Sequence, residues 1–195
     1  MIDKNGQIVR PDFVELSEYA KVFSSLNSEK EALLRDIAKD MAPRLNEVTE
    51  HFYEILQSIP QALPYLEGRT DALKKTHLKW MQSLFTGPFD AAYTESMYDV
   101  GDVHVKVNLP VEFMSGGITL ICNELYRIIH ELYQADPKRA ADAVSAINSV
   151  MGYSLLIMQK SYNASVEEQL DKFLLITGMS RALFDKLAST FKVLL

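Results

Sequence analysis

The side chains best able to bind a metal in this sequence are its histidines, which stand at His51, His77, His104 and His130. No two of them have the i, i+4 spacing of a helical zinc site, and no HExxH motif is present. A lone histidine on a helix is more often a surface group or a core group with a hydrogen-bond partner. Spacing alone therefore assigns no metal site.

The usual sets of catalytic side chains are also missing. There is no GxSxG motif and no glycine-rich loop that would hold a phosphate. The single cysteine, Cys122, excludes a CxxC zinc site and an internal disulfide, and we expect it to act as a small apolar side chain. The sequence therefore predicts that this chain by itself is not an enzyme.

The segments around these residues carry apolar side chains at helical spacing, and no convincing run alternates apolar and polar residues. Glycines and prolines stand between the segments, as expected for helix ends. The pattern predicts an all-α chain of about eight helices with short connections. The predicted helices cover approximately residues 11–23, 28–41, 43–59, 69–85, 90–104, 110–133, 137–162 and 166–195, with a short turn-like helix at 60–68.

Composition limits the class of protein. The chain has 195 residues, of which 48% are hydrophobic, and 20 Lys and Arg against 26 Asp and Glu give a net charge of −6. That balance favours a globular chain and argues against a general nucleic-acid binder. The longest dense apolar stretch, 149–158, is short of the ~20 residues that span a bilayer. The first residues have no apolar signal region, so we expect a cytoplasmic protein that does not enter a membrane.

Polar residues at 161–168 separate the main body from the last predicted helix. That helix has apolar residues on more than one side and therefore needs a partner surface. We expect an N-terminal extension with a short helix at 1–26, a main domain at 27–162 and a C-terminal helix at 163–195.

His104 is distinguished from the other histidines by its place in the last of three segments that follow one another in a particular order. They are HFYEIL at 51–56, LKKTHLKWMQSLFTG at 73–87 and YDVGDVHVKVNLPVEF at 98–113. In this order they resemble the heme domain of globin-coupled sensors, over residues 27–162. The resemblance implies a globin fold, the three-on-three helical sandwich, with an extra N-terminal helix and a C-terminal linker helix. It also implies non-covalent heme b, since no CxxCH attachment motif is present.

In that family His104 would be the proximal ligand of the heme iron, and Tyr53 the distal hydrogen-bond donor. A phenol O–H directed at bound dioxygen is worth on the order of 1–3 kcal/mol, and carbon monoxide, which is less polar, gains less. The alternative for Tyr53 is a core tyrosine bonded to a backbone carbonyl.

The same resemblance places Leu73 and Thr76 at the wall of the distal pocket. Thr76 supplies a second hydroxyl there or bonds its own preceding carbonyl. His77 lies about 100° further round the helix, so we expect it to miss the iron, with a distal ligand as the alternative. Trp80 is expected in the core or at the heme edge. The other residues expected around the heme are Phe52, Leu56, Val103, Val107, Leu109 and Met114, the last at a position where many sensor globins have an aromatic residue.

The resemblance further implies a sensor of O2, with CO and NO as other ligands. Helices 110–133 and 137–162 would pair with their copies as a four-helix homodimer interface, the alternative being burial against neighbouring helices. The output module of such sensors is a diguanylate cyclase, a histidine kinase or a chemotaxis transducer, and none is in these residues. A heme-free globin-like signalling or adaptor module is the alternative function, and a redox enzyme would need a flavin or nicotinamide site that the sequence lacks.

Overall fold

The structure, a computed structural model, describes the backbone of residues 10–192 and the side chains of residues 10–190. All regular elements in this part of the chain are helices, which confirms the all-α prediction. The helices are α1 (Phe13–Ser24), α2 (Ser28–Met41), α3 (Leu45–Ser58), α4 (Leu63–Leu66), α5 (Thr70–Thr86), α6 (Ala91–Lys106), α7 (Val111–Leu132), α8 (Pro137–Thr177) and α9 (Arg181–Lys192), with a 3-10 turn at Ala42–Arg44.

Side-chain caps fix where several helices begin. The carboxylate of Asp12 accepts from the amides of Val14 and Glu15 at the start of α1. Asn27, Asp90 and Asp136 accept from amides in the first turns of α2, α6 and α8 in the same way. Each such cap stabilises its helix by about 0.5–2 kcal/mol relative to alanine. These starts are local features, which is why the sequence located them to within a few residues.

Helix α8 is the centre of the packing. It contacts α6, α7, α2 and α1, while α2 and α3 both pack on α5, and α3 also packs on α7. The core lies between these groups and includes Leu34, Leu84, Leu125 and Tyr153, each no more than 1% exposed. Helix α6 forms extensive interfaces with α8 and α1. Within residues 10–192 it forms no extensive interface with α3 or α5.

The expected break at 161–168 is wrong, because α8 continues through it to Thr177. The segment SYNASVEE has no glycine or proline, so nothing in it prevents helix formation. The break comes at Gly178, where φ is +68° and the amide of Met179 donates to the carbonyl of Leu174 at 3.1 Å. This is a Schellman ending, and it relies on the freedom of glycine in the left-handed region. The predicted end of the last helix at Leu195 lies outside the described residues.

Helix α8 is also long and apolar enough, by length and composition, to cross a membrane. More than half of its most apolar 18-residue window is buried against other helices of this chain. We therefore interpret it as the core helix of the domain.

Most of the apolar residues expected at the homodimer interface are buried inside the chain itself. Burial against neighbouring helices was the alternative considered from the sequence. A helix that is apolar on one face can cover that face with a neighbour in the same chain or in a second one, and the sequence does not distinguish the two. Those buried within the chain are Ile121, Leu125, Ile128, Ile147, Met151 and Met158. Ile118, Val144 and Leu155 are half-buried.

Candidate functional site: two buried imidazoles and a tyrosine

His104 lies in the last turn of α6 and is half-buried. Its Nδ1 is enclosed, and the ring makes no hydrogen bond among the described residues. Burial lowers the pKa of His104. The side chain is therefore a neutral imidazole without a protein partner in the described part of the chain.

Tyr53 lies on the buried face of α3 and is 6% exposed. Burial raises the pKa of its phenol to about 12, so the hydroxyl stays protonated and can donate. The hydroxyl makes no hydrogen bond within residues 10–190. Within these residues Tyr53 is therefore not bonded to a backbone carbonyl, which was the alternative considered from the sequence.

His77 on α5 is packed against Tyr53. Its ring stacks on Phe52 with centroids 4.8 Å apart and meets the Tyr53 ring edge-on at 5.8 Å. Nδ1 is 3.0 Å from the hydroxyl of Thr49, while Nε2 is buried without a partner in the described part of the chain. Burial lowers the pKa of His77 to about 4.

Thr76 is exposed, and its hydroxyl donates to the carbonyl of Ala72 at 3.1 Å. This is the local hydrogen bond weighed from the sequence, and it directs the hydroxyl away from any ligand. The sequence did contain a signal for His77, since it stands four residues after Leu73. Positions i and i+4 share a helix face as well as i and i+3 do.

The remaining residues expected around a heme are distributed over four helices and the connection between α6 and α7. The Phe52 ring lies against Gly117 of α7, whose Cβ, if present, would be 3.5 Å from Cε2 of Phe52. Met114 is buried one turn before Gly117 on the same face of α7. Val103 on α6 is 55% exposed. Leu56, Leu73, Val107 and Leu109 are half-buried.

Trp80 packs on the hydrophobic core, and its ring centroid is 5.5 Å from that of His77. Its indole Nε1 is enclosed and makes no hydrogen bond among the described residues. The contact with the hydrophobic core fits a core residue better than a heme-edge residue. Cys122 is buried as well, and burial raises the pKa of its thiol.

The unpartnered imidazoles fit a heme. An enclosed polar atom without a partner costs about 1–3 kcal/mol, so leaving two histidines in this condition is unfavourable without a bound group. No group of three or more His, Cys, Asp or Glu side chains in the described residues could hold a bare metal ion. Heme iron needs only one imidazole from the protein, because the porphyrin supplies the other nitrogens. His51 and His130 are exposed.

Comparison with known proteins identifies structures with a similar fold. The globin domain of the Geobacter sulfurreducens globin-coupled sensor superposes with a TM-score of 0.70 at 24% identity, over 74% of this chain and 96% of that domain. The ferric form of the globin domain of E. coli DosC gives a TM-score of 0.63 at 17% identity, over 75% and 99% of the two chains. No curated protein matches.

These structural likenesses confirm the globin fold that the sequence resemblance implied. The Protoglobin family model matches residues 15–168, which includes most of helix α1 and all three of the segments around Tyr53, His77 and His104. Globin domains of this type bind heme. The chain therefore belongs to the protoglobin family, with the fold of the globin domain of a globin-coupled sensor.

Proposed function

We propose that this chain is a heme-based sensor of diatomic gases, with O2 as its principal ligand and non-covalent heme b as its cofactor. The observation that carries the proposal is the neutral imidazole of His104, whose Nδ1 is enclosed and whose ring has no hydrogen-bond partner in the described residues. Family membership supports it, because it makes heme the group that this imidazole would hold.

His104 would be the protein ligand of the iron. Heme iron held by one neutral imidazole keeps a sixth position open for a diatomic gas. A metal-binding imidazole must be deprotonated, and the burial that lowers the pKa of His104 keeps it so at neutral pH. Half-burial of His104 also limits the access of water to its nitrogens.

Tyr53 would stabilise the bound gas by donating a hydrogen bond. Its hydroxyl has no competing protein partner in the described residues, so none has to be broken when it donates. The packing of its ring against Phe52, at 5.2 Å between centroids, fixes the side chain in place.

His77 packs against Tyr53 and would act on the same side of the heme. The tautomer of its ring would decide whether it donates a hydrogen bond to the gas or binds the iron. If Thr49 donates to Nδ1, then Nε2 carries the proton and is a second hydrogen-bond donor. If Nδ1 donates to Thr49, the lone pair on Nε2 can bind the iron and compete with the gas. Absorption spectra of the gas-free ferrous protein and of His77→Leu distinguish these states. A low-spin spectrum that becomes high-spin on substitution identifies a ligand, and an unchanged high-spin spectrum identifies a donor.

Purification with heme tests the proposal directly. We expect a Soret band that His104→Ala abolishes or reshapes and that the matched variant His51→Ala leaves unchanged, because His51 is exposed. Protein that stays colourless after reconstitution with hemin would instead favour the heme-free signalling or adaptor module.

A homodimer through residues 110–133 and 137–162 would have to use the apolar side chains that the chain does not cover itself. These include Val111 and Leu132, which are 45% and 37% exposed, and the half-buried Ile118, Val144 and Leu155. The gas-binding state would reach a signalling output through this interface. Sedimentation of the wild type should show a dimer, and Ile118→Glu should weaken it. A monomer at high micromolar concentration would contradict the interface.

A further inference from the structure

The connection between α6 and α7 begins at Val107, three residues after His104, and is hydrogen-bonded to it. Asn108 is in the left-handed region, with φ of +54°, and its amide donates to the carbonyl of Val105 at 2.9 Å. The amide of Leu109 donates to the carbonyl of His104 itself at 3.0 Å. These two bonds form a Schellman ending in which His104 and Leu109 are joined.

Two tyrosines hold this connection from opposite parts of the chain. The hydroxyl of Tyr162 on α8 donates to the carbonyl of Leu109 at 2.9 Å. The hydroxyl of Tyr65 on α4 donates to the carbonyl of Asn108, also at 2.9 Å. Leu109 therefore links the backbone of His104 to α8, since its amide donates to His104 and its carbonyl accepts from Tyr162.

Helix α6 meets α8 a second time one turn before His104, at Gly101. A Cβ at Gly101 would lie 2.0 Å from Oγ of Ser161 and 2.7 Å from the carbonyl oxygen of Met158. Both distances are impossible for real atoms, so only glycine allows this approach. Residues 158–162 of α8 thus contact α6 and its connection on both sides of His104.

We propose that Tyr162 is a positioning residue for His104 and couples it to the C-terminal part of α8. The inference rests on the proposed function, in which His104 holds the heme. Because α8 has no break before Gly178, a displacement at residues 158–162 is carried along the helix and cannot be absorbed in a loop. The receiving part, 163–177, is exposed on much of its surface, with Phe173 50% and Ile176 85% exposed.

Tyr162→Phe tests the coupling, with Tyr65→Phe as a matched control that removes an equivalent hydrogen bond from α4. The first readout is the iron–histidine stretching band of the ferrous protein in resonance Raman spectra. The second is the difference in amide hydrogen exchange over 163–177 between gas-free and CO-bound protein. We expect Tyr162→Phe to shift the band and to reduce the exchange difference at least threefold, while Tyr65→Phe keeps the exchange difference. An unchanged band and exchange difference in Tyr162→Phe, or equal losses in both variants, would overturn the coupling.

Heme-free protein separates this inference from the proposed function. There, Tyr162→Phe should speed amide exchange at Leu109 severalfold, since the amide of Leu109 donates to the carbonyl of His104 and the carbonyl of the same residue accepts from Tyr162. Unchanged exchange at Leu109, with circular dichroism showing a folded variant, would refute positioning by Tyr162. A wild type that binds no heme would instead refute the sensor function and leave the exchange result to decide positioning.

Discussion

Tyr53→Phe removes one hydroxyl from the proposed gas pocket and leaves the buried ring in place. The side chain is 6% exposed, and its hydroxyl has no hydrogen-bond partner in the described residues, so the substitution breaks no bond within them. The cost should therefore fall on the bound gas and not on folding. A hydrogen bond to a partly charged oxygen is worth about 1–3 kcal/mol, which corresponds to about a 5- to 150-fold change in an equilibrium constant.

The assay is stopped-flow release of O2 and flash-photolysis binding of CO. We expect O2 release from Tyr53→Phe to be faster by this factor, with CO affinity changed less than about threefold, because CO carries little charge on its oxygen. The pKa of about 12 keeps the phenol protonated, so the effect should be the same from pH 6 to pH 9. Tyr133→Phe is the matched control, since its hydroxyl bonds Asp40 at 2.8 Å on α2 and not the pocket. Equal changes for O2 and CO, or the same change in the control, would refute the role of Tyr53.

Three further predictions concern the heme-free fold. Burial lowers the pKa of His77 to about 4, so the native state favours the neutral ring. The contribution of His77 to the free energy of unfolding is therefore complete above pH 6.5, the ordinary pKa of histidine, and is lost as the pH falls towards 4. The loss should approach about 3 kcal/mol in urea titrations, and His77→Leu should flatten it while His51→Leu should not; parallel curves for all three proteins would contradict this. Leu125→Ala should lower the free energy of unfolding by about 2–5 kcal/mol, because the Leu125 side chain is 0% exposed. Leu132→Ala is the control and should lower it clearly less, because Leu132 is 37% exposed. Similar urea midpoints and m-values for the two variants would count against the described core. Gly178→Ala forces a side chain into the left-handed region, which costs about 1–2 kcal/mol of conformational energy. The amide of the next residue, Met179, should therefore exchange about tenfold faster. Unchanged exchange of that amide would argue against a helix end at Gly178.

The helices could be predicted from the sequence because the interactions that fix them are local. Capping side chains such as Asp12 and Asp90 bond amides two or three residues away, and an apolar face repeats within one turn. The order of three segments around Tyr53 and His104 was enough to indicate the family. The break expected at 161–168 failed since polar composition does not stop a helix, whereas the left-handed Gly178 does.

What the tertiary structure decided is how those helices are rotated and paired. His77 faces Tyr53, and Thr76 is exposed, because α5 is rotated so that its Leu73–His77 face meets α3. Whether an apolar face is covered by the same chain or by a copy is likewise a property of packing, as the buried Leu125 shows. The bond from Tyr162 to Leu109 joins residues 53 positions apart, and no local pattern specifies a contact at that separation. Local interactions thus determined the elements and the identity of the chemical groups, and only long-range packing determined which groups meet.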